Sequence, residues 1–97
     1  MLSFLQLKNG SVLLMNKLFD DKGFADYVYW QTQDHKTLNK INRLLQSIER
    51  DGAMYGEGKP ERLKHGLGYS RRIDDANRLV YEISNNVIII KACRGHY

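Results

Sequence analysis

Glu61 stands directly after the chain's only proline, histidines lie at 65 and 96, and tyrosines lie at 69, 81 and 97. These are the groups of the C-terminal half with a use in proton transfer. Their ordinary pKa values are about 4.3 for Glu, 6.5 for His and 10 for Tyr, so near neutral pH the glutamate is an ionised base and a histidine can serve as an acid. A carboxylate base, an imidazolium acid and an arginine together suffice to cleave RNA without a metal. The base takes the 2′-hydroxyl proton, the acid protonates the departing 5′-oxygen, and the cation holds the crowded phosphate. DNA lacks that hydroxyl and offers no such reaction.

Other chemistries fit less well. Cys93 and His96 form a lone C-x-x-H with no second pair at ligand spacing, so no metal and no other cofactor is expected. A phosphate-cradling loop needs a hydroxyl after its lysine and a helix behind it, whereas "GEGKPE" continues into proline. Nothing in the sequence sets a base and an orienting acid beside Ser70 or Ser84 to make either a nucleophile.

The charge distribution points the same way. Residues 1–58 carry 7 Lys/Arg against 7 Asp/Glu, while residues 59–97 carry 8 against 4, so the whole net charge of +4 lies in the last 39 residues. An anionic partner would meet that half. The single cysteine, Cys93, in an apolar run, reads as a small packed side chain in a reducing compartment, and a cytoplasmic location is expected. The start, "MLSFLQLKNGSVLLM", lacks a basic leading region, and no apolar run reaches the roughly 18 residues of a membrane span.

The elements that position these residues follow from periodicity. In 97 residues there is room for one domain with a modest core. "DKGFADYVYWQTQ", from Asp21 to Gln33, sets Phe24, Tyr27, Val28 and Gln31 at helical spacing and predicts a short helix with Phe24, Tyr27 and Trp30 as core aromatics. A second helix is capped by Asp34 and closed by Asp51-Gly52, with Leu38, Ile41, Leu44, Leu45 and Ile48 in one stripe. "RLVYEISNNVIII" predicts a hairpin turning at Asn85-Asn86. In that register Ile83 faces Ile88, Tyr81 faces Ile90 and Leu79 faces Ala92 on an apolar face, while Arg78 beside Cys93, Val80 beside Lys91 and Glu82 beside Ile89 form the open face. "YSRRI" adds a neighbouring strand, and a short strand near Lys17 to Phe19 completes an α+β fold. Straight continuation of the last strand puts His96 on the apolar face, so a working His96 needs the chain to turn, which Gly95 permits.

The blocks "DYVYWQ", "GKPERLKH", "SRRI", "NRLVY" and "CRGHY" stand in an order and spacing that resemble the YoeB/Txe family, toxins of type II toxin-antitoxin pairs in the RelE-like superfamily. The resemblance covers about Met15 to Tyr97 as a single toxin domain. It implies a RelE-like fold, two N-terminal helices packed on one face of a mostly antiparallel twisted sheet. It further implies a ribosome-dependent mRNA endonuclease that inhibits translation and is held inactive by a YefM/Axe-like antitoxin. The implied partners are that antitoxin, the ribosome and mRNA, and a second copy of the chain, with operator DNA reached only through the antitoxin and no membrane. Carried over residue by residue, the general base falls on Glu61, the phosphate-binding arginine on Arg78, the general acid on His96, and the nucleotide-orienting tyrosine on Tyr97. Lys59, Lys64, Arg71 and Arg72 match cationic positions that hold RNA.

The sequence departs from the family pattern in places. "KHGLGYSRR" is shorter than the usual form, Tyr69 stands where tryptophan is common, Asn77 where histidine is common, and Gly95 where a larger residue is common. Residues 1–14 precede the family's usual start, which matches Met15, and are expected to be an N-terminal extension or the product of a mis-assigned start. Singly, the site residues have plain structural readings: Glu61 as a solvated loop carboxylate, Arg78 as an ion-pair partner of Glu82, His65 as a positioning or surface group. The competing function is a catalytically inactive relative that binds antitoxin or ribosome.

Overall fold

The computed structural model describes residues 15–96. Tyr97 and residues 1–14, the segment expected to be an extension or a mis-assigned start, lie outside them. Strand β1, Asn16–Phe19, leads into helices α1, Asp21–Gln33, and α2, His35–Asp51. Both helices start at an aspartate. Asp20 accepts the Gly23 N–H at 2.9 Å, and Asp34 accepts the N–H groups of Lys36 and Thr37, satisfying donors that a first turn leaves without partners. The Thr37 hydroxyl also donates to Asp34 at 2.8 Å, and it is the largest of the hydrogen bonds that lower the Asp34 pKa. At the far end of α2 the Gly52 N–H donates to the Ile48 carbonyl at 2.9 Å.

Strands β2, Glu61–Arg62, β3, Tyr69–Arg72, β4, Arg78–Ser84, and β5, Val87–Ala92, join β1 in one sheet of order β1-β5-β4-β3-β2. All pairings are antiparallel except β1 with β5. This is the expected α+β arrangement. The hairpin turns at Asn85 and Asn86, with φ of 49° and 64°, in the left-handed region that Asn tolerates. Ile83 pairs with Ile88, Glu82 with Ile89 and Tyr81 with Ile90, as the alternation requires. Ile41, Leu44, Leu45 and Ile48 of α2 are buried against Leu79, Tyr81, Ile88 and Ile90, so the predicted stripe is the core of the molecule. Among the described residues no helix is long and apolar enough to cross a membrane.

Two local expectations are overturned. Leu79 does not face Ala92: the register shifts so that Tyr81 pairs with Ile90 while Val80 pairs with Ala92, leaving Lys91 as the extra residue of a β-bulge. Arg78 is therefore not beside Cys93 on the open face, nor Val80 beside Lys91. Cys93 turns inward and is fully buried, and the even-numbered positions beyond the bulge change face. Burial, and then the nearby Asp26 carboxylate, push the Cys93 thiol from 9.0 up to about 12, so it remains protonated at neutral pH.

The second correction concerns α1. Phe24 is 58% exposed and Val28 38% exposed, whereas the buried residues of the helix are Gly23, Asp26 and Trp30. The reason is close approach. A Cβ on Gly23 would sit 2.1 Å from the Ile90 carbonyl oxygen, so the helix lies directly on the β5 backbone through the one residue that lacks a Cβ. The helix surface following that contact turns inward, and Phe24 is left at the rim against the edge of Phe19, ring centroids 6.2 Å apart.

Candidate active site

Glu61 lies on a two-residue edge strand rather than in a loop. β2 pairs Glu61 with Ser70 and Arg62 with Tyr69, and the turn behind it is closed by the Leu63 N–H donating to the Gly68 carbonyl at 3.0 Å. Ahead of it, the Arg72 N–H donates to the Gly58 carbonyl at 2.6 Å. The carboxylate is thus fixed in the backbone and free at its tip, 66% exposed.

Arg78 opens β4. Its guanidinium is only 20% exposed and reaches Glu61 at 3.7 Å and the Ser70 hydroxyl at 3.5 Å. Glu82, its anticipated partner, pairs instead with Lys91 at 3.8 Å. Parity explains the Ser70 contact: β3 opposes Ser70 to Val80 and Arg72 to Arg78, so Ser70, Arg72 and Arg78 share the open face while Arg71, opposite Leu79, points into the core.

His96 reaches this face through the bulge and through Gly95, whose φ is +95°. The Gly95 carbonyl accepts from the Arg78 N–H at 3.0 Å, and its N–H donates to the Asn77 side chain at 2.8 Å, so the chain end is stitched to the start of β4. Asn77 is itself held by the Asp74 carboxylate, which accepts the N–H groups of Ala76 and Asn77.

Glu61, Lys64, His65, Ser70, Arg78 and His96 line one cavity of about 400 Å³, within the range of roughly 300–1,000 Å³ common for ligand sites. A second cavity of about 390 Å³ shares Leu63, Arg78 and His96 with it and is floored by Val80 and Ala92. A carboxylate, an imidazole and a guanidinium, contributed from three separate parts of the chain, line the first cavity, and Arg78 and His96 line both. The arrangement has what general acid/base attack on a phosphodiester requires.

The remaining expected cations divide. Lys64 lies in the cavity. Lys59 is exposed with φ of 50° but does not line the cavity, and Arg72 pairs with Asp75 at the surface. Arg71 does not reach the open face at all. It is fully buried and donates to the Tyr81 and Ser47 hydroxyls and to the carbonyls of Gly52, Tyr55 and Glu57. Its role here is to clamp the loop between α2 and β2, because strand alternation sends it inward.

Ser70 and His65 also line the cavity, although the sequence gives Ser70 no catalytic role and His65 only a plain positioning or surface one. For Ser70 the signal existed: it precedes the arginine pair of "SRRI" on an alternating strand, two positions from outward-facing Arg72. For His65 residue type alone marks it, because the turn between β2 and β3 has no periodicity that would place it on the open face. Among the described residues, no group of three or more His, Cys, Asp or Glu is gathered closely enough to hold a metal ion.

Comparison with known proteins places these features in a family. Residues 19–97 match the family described as YoeB-like toxin of bacterial type II toxin-antitoxin system. The toxin YoeB of Escherichia coli K12 is 41% identical over 85 residues, covering 86% of this chain and 100% of that protein. The structure of the YoeB dimer from Staphylococcus aureus superposes with a TM-score of 0.83 at 48% identity, covering 88% of this chain and 100% of that one. A YoeB-YefM complex from the same organism superposes at 0.79 with 48% identity, covering 86% and 98%.

Proposed function

The chain belongs to the YoeB-like toxins of bacterial type II toxin-antitoxin systems, and on that premise we propose that it is a ribosome-dependent mRNA endonuclease acting without a metal. The observation that carries this reading is the convergence of Glu61, Arg78 and His96 on one cavity. Glu61 takes the proton of the 2′-hydroxyl as that oxygen attacks the adjacent phosphorus. Arg78 holds the phosphate as negative charge builds on its oxygens, and His96 gives a proton to the departing 5′-oxygen, leaving a 2′,3′-cyclic phosphate. Lys64 adds a cation on the path of the RNA backbone. Tyr97 orients the reacting nucleotide.

The loose contact between Glu61 and Arg78, 3.7 Å with the carboxylate mostly exposed, suits a base that must leave its cation when RNA arrives. A tight, buried pair would have to be broken first. The partner is a YefM-like antitoxin, in keeping with the YoeB-YefM complex, and a second copy of the chain joins it, as in the YoeB dimer. The reaction takes place in the bacterial cytoplasm.

The test uses the full chain freed from its partner and added to ribosomes halted on a defined message. A cut in the ribosomal A site, ending in a 2′,3′-cyclic phosphate and absent with naked message, is expected. Ribosome binding without any cut would instead identify a binding module.

A further inference from the structure

His96 stands near the end of the chain, one residue past a glycine, where a side chain ordinarily has little to fix it. The backbone leading to it is nevertheless held, at Cys93 and again at Gly95. The Cys93 N–H donates to the Asp26 carboxylate at 3.0 Å, and the Cys93 carbonyl accepts from the Trp30 indole N–H at 2.8 Å. Both backbone groups of Cys93 are therefore taken by α1, more than sixty residues away in sequence. Beyond it, Arg94 lies over the Tyr29 ring at 3.6 Å, a cation–π contact on the same helix.

Gly23, Asp26 and Trp30 are spaced three and four apart, which makes them one stripe of α1, and they are its buried residues. A stripe of this kind with an acid in its middle is a poor way to build a core. Burying a carboxylate is costly unless its hydrogen bonds are supplied. Here they come from Lys22 at 2.7 Å and from the Cys93 N–H. Apolar residues were at hand in the same helix, yet Phe24 and Val28 face outward. The helix gives its inward face to the end of β5.

We propose that Asp26 and Trp30 are positioning residues for His96: they seize the strand just past the bulge and fix where Arg94, Gly95 and His96 leave it. The inference rests on His96 being the general acid. Neither residue lines the cavity, so both act through the backbone.

Trp30→Phe removes the indole N–H and keeps most of the ring, and Asp26→Leu removes the acceptor of the Cys93 N–H at similar volume. Each variant is first confirmed folded by its thermal transition. Under single-turnover conditions on ribosomes, the maximal cleavage rate constant falls by about tenfold or more while the half-saturating concentration changes little, because acid placement rather than RNA binding is lost. In the His96→Ala background the same Trp30→Phe change costs less than about twofold, since the group it positions is gone. Equal losses in both backgrounds overturn the proposal. A readout independent of activity is the NMR order of the Arg94–His96 backbone and the His96 ring. Greater mobility there, with the sheet unchanged, supports the latch, and unchanged order overturns it. If the parent chain cuts nothing, the catalytic reading fails, while the NMR comparison still decides whether α1 fixes the chain end.

Discussion

Replacing Arg71 by methionine tests the largest of the fully buried side chains. The guanidinium donates at 2.6 to 2.9 Å to Tyr55, Gly52 and Glu57 carbonyls and to the Ser47 and Tyr81 hydroxyls. Methionine fills much of the volume but supplies no donor. Gly52 and Tyr55 are exposed, so water can replace the guanidinium at their carbonyls, and the loss concentrates on Ser47, Glu57 and Tyr81. With charged hydrogen bonds contributing about 1.5–3 kcal/mol each and partial relaxation of the loop, the net destabilisation is about 3–5 kcal/mol. For a domain of this size that corresponds to a fall in Tm of roughly 12 °C or more. Urea denaturation followed by circular dichroism, with unchanged m-value, measures it. Arg71→Lys recovers only part, since a point charge cannot span acceptors arranged around a planar fork. A loss below about 1 kcal/mol would refute the clamp. At a temperature where both proteins are folded, the slope of log affinity for RNA against log salt stays at the parent's value; a slope reduced by about 0.7 would mean that Arg71 contacts a phosphate after all.

Further outcomes follow from single contacts. Gly23→Ala gains helix propensity of about 1 kcal/mol but forces a Cβ to 2.1 Å from the Ile90 carbonyl, so a net loss of roughly 2 kcal/mol or more is expected in thermal or urea unfolding. Gly95→Ala meets nothing within 4 Å yet must adopt a φ of +95°, so the strain shifts the chain end: cleavage slows several-fold while Tm changes little, read by single-turnover assay and calorimetry. Cys93 has a folded pKa of about 12 against an ordinary 9.0, so its contribution to stability is fully present below about pH 9 and is lost as pH rises through about 12. Cys93→Ala should therefore flatten the fall of urea midpoints from about pH 9 upward, leaving the part due to Tyr81, whose pKa burial also raises.

Where period and chemistry coincided, the sequence was readable. The α2 stripe, the Asp34 cap and the Asn85-Asn86 turn appear as expected, because each rests on a local rule that tertiary contacts reinforce. So does the RelE-like layering of two helices on a mostly antiparallel sheet. The bulge at Lys91 could not be read from "VIIIKACRGHY". An inserted residue changes parity without changing composition, and an apolar run hides the alternation that would expose it. α1 misled for the opposite reason: its strongest apolar positions, Phe24 and Val28, lie outside, and its burial is set by a missing Cβ and by hydrogen bonds to β5. Glu61, Arg78 and His96, marked by their chemistry and by the family blocks, line one cavity. Arg71 was not separable from Arg72 by charge, and only the register of β3 against β4 tells them apart.

The central claim is attack by the 2′-hydroxyl, with Glu61 and His96 moving the protons. The most direct measurement places a single 2′-deoxynucleotide at the mapped cleavage position of the message and repeats the ribosome assay with the full chain. The account predicts that cutting at that position is abolished while the all-ribose message yields a 2′,3′-cyclic phosphate end. Cutting of the deoxy-substituted message at the parent rate would contradict it.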